Sequence, residues 1–250
     1  MQSSNSSNST VIRGQLGPGF EHYYGDLDLL IKLRANGFKG AVIYDIGASN
    51  TVWSVMAHAV FPTSRIEMFE PLAEISERYR EGKHTHPTVE NFLNTADYKI
   101  HAIALGSKSG RRPFYRFEDE SASSSIIKAK NPTIDCVSVP MHRLDDYVQV
   151  HALRPPELIK LDTQGSEMDI FLGAKKMLVA AKAILIESWL TKDYGDHTPL
   201  LLEVIDFLTD FGYFLTDFGA EYRDDRRQMH TRDALFLKSS PEILEVRINP

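Results

Sequence analysis

Three acidic residues stand where apolar runs end: Asp45 in AVIYDIG, Asp162 in ELIKLDTQG and Glu187 in AILIE. Each run has the length and near-continuous apolarity of a strand buried on both faces of a parallel sheet. Such strand ends border the ligand crevice of open α/β sheets. Carboxylates placed there can accept hydrogen bonds from hydroxyls, take a proton or share a cation. Gln164 and Glu167 follow Asp162 closely and cluster with it. A fourth acid, Glu70, ends RIEMFEP twenty-three residues after Gly47. At that separation a carboxylate reaches the tip of the neighbouring strand, where ribose hydroxyls can donate to it.

These side chains need a frame. Ala41–Ile46 predicts the first strand, Gly47-Ala48-Ser49 a tight turn of small residues that lets a ligand approach the backbone, and Val52, Val55, Met56, Ala59 and Val60 one apolar helix face. Such a unit suits a nucleotide-like ligand, although an ordinary βα turn has the same pattern. Before it, Asp26–Ala35 has helical spacing and stops at Asn36-Gly37. After it come a strand at Arg65–Phe69, a helix at Leu72–Arg80, a third strand at Tyr98–Leu105 and a hairpin around Phe114–Phe117. Cys136–Val139 reads as a short strand and Leu144–Val150 as a short helix. A helix is expected to open at His197-Thr198-Pro199, with Thr as cap. Gly212–Thr216 and Ala234–Lys238 then close the sheet around a polar excursion, Glu221–Asp233. The alternation predicts an α/β fold with a doubly wound, mostly parallel sheet and one antiparallel strand near the C-terminus.

The 250 residues suit one domain, here 21–250, behind a polar, then Gly/Pro-rich tail over residues 1–20 that is expected to be mobile. A formal charge of −6 argues against a broad nucleic-acid footprint. No apolar run approaches the ~20 residues that span a bilayer, and the N-terminus lacks the basic start and apolar core of a signal peptide. One cysteine, Cys136, excludes an internal disulfide and is expected to be buried and inert. The expected location is cytoplasmic. His84 and His86 lie in a polar turn without Cys or acid partners, which favours a solvated loop over a metal pair.

With these residues laid out, the chain resembles the FkbM-type family of S-adenosylmethionine-dependent methyltransferases from about Phe38 to Lys238. The most specific block is IKLDTQGSEMDIFLGA at Ile159–Ala174; MFEP at Met68–Pro71, ALGSKSG at Ala104–Gly110 and RLDDY at Arg143–Tyr147 stand in the family's order. The family's first loop is D-x-G-A-N-x-G, whereas here Ser49 replaces the Asn and Thr51 the second Gly; Thr51 either crowds the cofactor or caps the helix. The resemblance implies a Rossmann-like methyltransferase domain and O-methylation. Asp45 with Gly47, Ala48 and Ser49 would hold the methionine end of S-adenosylmethionine. Glu70, followed by Pro71, would bind the ribose, and Ala102–Leu105, including Ala104, would lie against the adenine.

Methyl transfer from a sulfonium is an in-line displacement, so alignment supplies much of the rate, and a hydroxyl acceptor needs a base. Asp162 is the expected base or acceptor-positioning group, with Gln164 and Glu187 orienting it and His197 as an alternative base. Asp162 and Glu167 could instead only tie down their loop. Asp162 and Glu187 could also share Mg²⁺ and polarise a diol. The acceptor is expected to be a small molecule or carbohydrate, with no nucleic-acid or membrane partner. Two other classes compete: a non-catalytic cofactor-binding or interaction protein, and a nicotinamide-dependent oxidoreductase, whose G-x-G-x-x-G fails at Ser49 and Val52.

Overall fold

The computed structural model describes residues 10–17, 20–72, 87–117 and 133–238. In chain order the strands are β1 (Val42–Ile46), β2 (Arg65–Phe69), β3 (Asp97–His101), β4 (Ala104–Leu105), β5 (Gly110–Phe117), β6 (Thr133–His142), β7 (Leu158–Leu161), β8 (Ala183–Trp189), β9 (Tyr213–Arg223) and β10 (Met229–Lys238). The helices are α1 (residues 10–16), α2 (Tyr24–Ala35), α3 (Val52–Val60), α4 (Pro87–Thr95), α5 (Leu144–Val150), α6 (Glu167–Gly173), α7 (Lys175–Ala180) and α8 (Leu201–Thr209).

A seven-stranded sheet has the order β3-β2-β1-β7-β8-β10-β9. Its pairs are parallel except those of β10, which runs antiparallel to both β8 and β9. This is the expected doubly wound sheet. Because side chains alternate along a strand, each strand feeds two cores. Ile43, Leu158, Leu185 and Leu235 meet the α2 and α3 side, with Leu27, Leu30, Trp53 and Val55. Ile46, Ile159, Leu161 and Ile186 meet the other, with Phe171, Leu178, Val204 and Leu208. Each such side chain contributes roughly 1.5–3 kcal/mol when fully buried. The strand order reverses between β1 and β7, which opens a crevice at their carboxyl ends.

Several local expectations change. Tyr98–Leu105 is not one strand: Glu70 N–H takes the His101 carbonyl, the chain turns, and Ala104–Leu105 pairs with β6 in a separate small sheet, β4-β6-β5. The excursion Glu221–Asp233 is mostly strand, because β9 and β10 extend to Arg223 and back from Met229. Cys136 is exposed, on the open face of the small sheet. Helix α8 starts at Leu201, and Glu203 rather than Thr198 caps it by accepting Leu200 N–H at 2.7 Å. Thr198 is buried and accepts Tyr194 N–H at 3.1 Å. The expected helix at Leu72–Arg80, the His84–His86 turn and the serine-rich segment 121–130 lie outside the described residues. Among the described residues, no helix is long and apolar enough to cross a membrane.

The expected mobile tail is ordered over its described residues, 10–17 and Phe20. Residues 10–16 are helical, Leu16 is fully buried and Phe20 nearly so, and Arg13 pairs with Asp28 at 2.7 Å. Ile12, Leu16 and Phe20 are spaced four apart, an apolar stripe that the surrounding Gly and Pro obscured. Leu16→Ala should therefore lower unfolding free energy by roughly 2–5 kcal/mol in chemical denaturation; a loss below about 0.5 kcal/mol, the scale of an ordinary surface change, would mean that this segment does not anchor to the core.

Candidate active site

The crevice is built on a contact between two turns. Gly47 has φ +80°, and a Cβ there would lie 1.9 Å from the Asp162 carbonyl oxygen. Only glycine lets the β1 and β7 ends approach so closely. Asp162 N–H donates to the Ile46 carbonyl at 3.0 Å, and Gly47 N–H to that of Phe69 at 2.9 Å, so three strand ends are stitched around one turn.

The cleft above this turn is lined by Gly47, Ala48, Ser49 and Asn50, by Glu70 and Pro71, by Ala104, and by Lys160 and Asp162, with Tyr23 closing one side. Glu70 is buried; its two carboxylate oxygens accept Ser49 N–H and Leu72 N–H, each at 2.9 Å. Burial pushes its pKa up to about 7 despite these donors. Its position ties the tip of β2 to the small-residue loop, as the spacing predicted.

Asp45 behaves differently. It is fully buried, accepts from Ser54 Oγ at 2.6 Å, and lies 3.4 Å from Lys160 Nζ, outside the cleft lining. Its carboxylate anchors the turn to α3 and to Lys160, so it acts on the loop from behind. Lys160 is also buried, 3.3 Å from Asp162 and 3.3 Å from the Gly47 carbonyl. Burial opposes its charge, but Asp162 and Asp45 outweigh that and hold its pKa above the ordinary lysine value.

Asp162 borders the cleft and keeps part of its surface open, with 23% side-chain exposure. Gln164 donates from Nε2 to Asp162 at 2.8 Å and to Glu187 at 3.1 Å, and its Oε1 accepts Tyr194 O–H at 2.6 Å. The amide is thereby locked, and the structure brings Asp162, Gln164 and Glu187 together. Glu187 hydrogen-bonds to Asp162, and burial with that neighbouring carboxylate drives its pKa well up. Glu167 is different again: Oε1 accepts Thr163 N–H, Thr163 O–H and Gly165 N–H at 3.0–3.2 Å, so it ties down the loop. His197 is exposed on the surface and does not line the cleft; the loop turns Tyr194 inward instead. Among the described residues, no group of three or more His, Cys, Asp or Glu is placed to hold a metal ion.

The expectations drawn from sequence missed Lys160, Tyr23, Asp26 and Asp233. Asp26 is 1% exposed, accepts Ala220 N–H and Trp53 Nε1–H at 3.0 and 3.2 Å, and hydrogen-bonds to the Asp233 carboxyl. The available signal was charge inside apolar periodicity, as with Lys160 in ELIKLD and Asp26 on the core face of α2.

The loop carries strain where it departs from the family pattern. Thr51 has φ +68°, is buried, and makes no side-chain cap to α3; Asn50 Oδ1 accepts Val52 N–H instead, at 3.2 Å. A β-branched residue in the left-handed region is held there at a cost of about 1–2 kcal/mol. Thr51→Gly should raise unfolding free energy by about 1 kcal/mol, after the entropy of glycine is allowed for. A loss of stability on chemical denaturation would show that packing of the Thr51 side chain outweighs the strain.

Comparison with known proteins places the chain in a family. Residues 45–215 match the family model described as the Methyltransferase FkbM domain. The 2-O-methyltransferase NoeI of Sinorhizobium fredii is 26% identical over 184 residues, covering 68% of this chain and 72% of that protein. A methyltransferase FkbM from Methylobacillus flagellatus superposes with TM-score 0.50 at 14% identity, over 94% of this chain and 59% of that one. This chain thus spans about three fifths of that neighbour's length. The O-methyltransferase from Bacillus cereus, solved with S-adenosylhomocysteine, superposes with TM-score 0.50 at 10% identity, over 95% and 88% of the two chains. The small-residue turn, the acid at the tip of β2 and the IKLD block all fall within the matched span, and the chain belongs to the FkbM methyltransferase family.

Proposed function

We propose that this protein transfers the methyl group of S-adenosylmethionine to a hydroxyl of a small-molecule or carbohydrate acceptor. One observation carries the reading: a partly open carboxylate, Asp162, lines the same cleft as the Gly47–Asn50 turn and Glu70, and is held by a locked amide. The name of the NoeI relative, a 2-O-methyltransferase, supports a hydroxyl acceptor. The S-adenosylhomocysteine bound in the Bacillus cereus structure supports the cofactor. The residues also fit a sulfonium: among the described residues of the cleft lining, the carboxylates Glu70 and Asp162 outnumber the one ammonium, Lys160.

Bound S-adenosylmethionine supplies an activated methyl whose S–C bond breaks with its electron pair going to sulfur. Gly47, Ala48 and Ser49 would form the backbone floor under the cofactor, Glu70 would receive its ribose hydroxyls, and Ala104 and Pro71 would flank its base. Asp162 would take the acceptor's O–H proton as the acceptor oxygen bonds to the methyl carbon. Lys160 lies 3.3 Å from Asp162, and Gln164 fixes the plane of its carboxyl group. The net charge of −6 and the acidic cleft favour a small acceptor over nucleic acid, and a reducing, cytoplasmic setting suits the lone exposed thiol.

Titration calorimetry should show micromolar binding of S-adenosylmethionine, lost on Glu70→Ala, and no binding of NADH; the reverse pattern would make the fold an oxidoreductase, and no binding of either a non-catalytic member. In an acceptor screen scored by S-adenosylhomocysteine formation, Asp162→Asn should retain product binding and lose at least about a hundredfold in turnover. Unchanged turnover would remove Asp162 from the chemistry.

A further inference from the structure

Behind Asp162 the acids continue as a row, Glu187 and Asp233 half-buried and Asp26 fully buried. Asp233 on β10 stands directly opposite Glu187 on β8 in the antiparallel register, so the two carboxyls share one face of the sheet as immediate neighbours. Glu187 hydrogen-bonds to Asp162 on one side, and Asp233 to Asp26 of α2 on the other. Two carboxyls in hydrogen-bond contact cannot both be ionised at low cost. Among the described residues, Lys160 is the ammonium that faces this row, and Asp45 already shares it. Glu167 adds a further buried oxygen: its Oε2 has no hydrogen-bond partner and acts on Glu187. Tyr23 faces Asp162, Lys160, Asp233 and Asp45 from the α2 side; burial first, and then Asp162, push its phenol upward, so it stays protonated and adds no charge.

Building on the methyltransferase reading, we propose that Asp233 and Asp26, acting through Glu187, are positioning residues that exchange a proton against the sulfonium charge of the cofactor. The charge balance makes the case. Methyl transfer turns a cationic sulfonium into a neutral thioether and releases one proton from the acceptor hydroxyl. If that proton passes from the acceptor oxygen to Asp162 and is kept along Glu187 and Asp233, the total charge in this low-dielectric region is the same before and after reaction. Conversely, entry of the sulfonium expels a proton from the row, and the neutral product does not. Burial and the adjoining carboxylates hold Glu187 and Asp233 far above the usual carboxylate range, consistent with protons being present to expel.

The test is proton release on binding, measured by calorimetry in phosphate and in Tris, whose ionisation enthalpies differ. Wild-type protein should release more protons with S-adenosylmethionine than with S-adenosylhomocysteine, and the ratio of the two dissociation constants should shift by up to about tenfold per pH unit in favour of the sulfonium as pH rises. Glu70 also titrates, but it meets the ribose that both ligands carry, so its proton cancels in the difference. Asp233→Asn should abolish the extra release that the row contributes, and Asp233→Glu should restore it; the ligand's own amino group titrates equally in every variant. Equal release with both ligands in the wild-type protein overturns the proposal and leaves the methyltransferase reading intact, a measurement that does not depend on any variant folding. Extra release that survives Asp233→Asn removes Asp233 from the exchange. Failure of both ligands to bind overturns the methyltransferase reading and this inference with it.

Discussion

A buried ammonium is expensive unless carboxylates hold it, and around Lys160 that requirement organises the centre of the molecule. Lys160 reaches from β7 to Asp45 on β1, to Asp162 at its own strand's end and to the Gly47 carbonyl in the turn. One cation thus joins the two strands at the switch point and the loop above them. Removing a partner of such a pair typically costs about 3–5 kcal/mol, because an uncompensated charge stays behind. The backbone contact between Gly47 and Asp162, which a Cβ would forbid, sits beside that centre, and both residues line the cleft.

The segment before β1 is part of the same construction. Ile12, Leu16 and Phe20 fasten it to the core, which carries Tyr23 to the cleft and Asp26 to the back of the acid row. Asp26 in turn takes Ala220 N–H from β9 and Trp53 Nε1–H from α3. A carboxylate near the start of the chain therefore links a helix, a far strand and the loop helix in one hydrogen-bonded group. Gly219 is held to a hydrogen side chain by the same crowding, since a Cβ there would lie 2.1 Å from Asp26 Oδ1.

Much of the site was legible, but unevenly. Glu70 and the small-residue turn line the cleft as their spacing suggested, Pro71 and Ala104 line it as the family resemblance implied, and Asp162, Gln164 and Glu187 do meet. Asp45 is at the right strand end yet points inward, because Ser54 and Lys160 claim its oxygens. His197 and Tyr194 lie in one loop, and only the path of that loop settles which faces Gln164. Asp233 looked like part of a polar excursion because hairpin strands with one solvated face carry the same residues as a loop.

Covalent order and local periodicity determined what could be read from the amino-acid string alone: the alternation of buried strands and helices, the turn after β1, the acids at strand ends and the family. Those properties depend on neighbours within a few residues, so they survive without coordinates. Which carboxyl faces the cleft, which is buried against a lysine and which hydrogen-bonds to another acid were decided only by tertiary structure. Asp26 and Asp233 lie more than two hundred residues apart in the chain, and desolvation and hydrogen bonding act on them through space rather than along the chain.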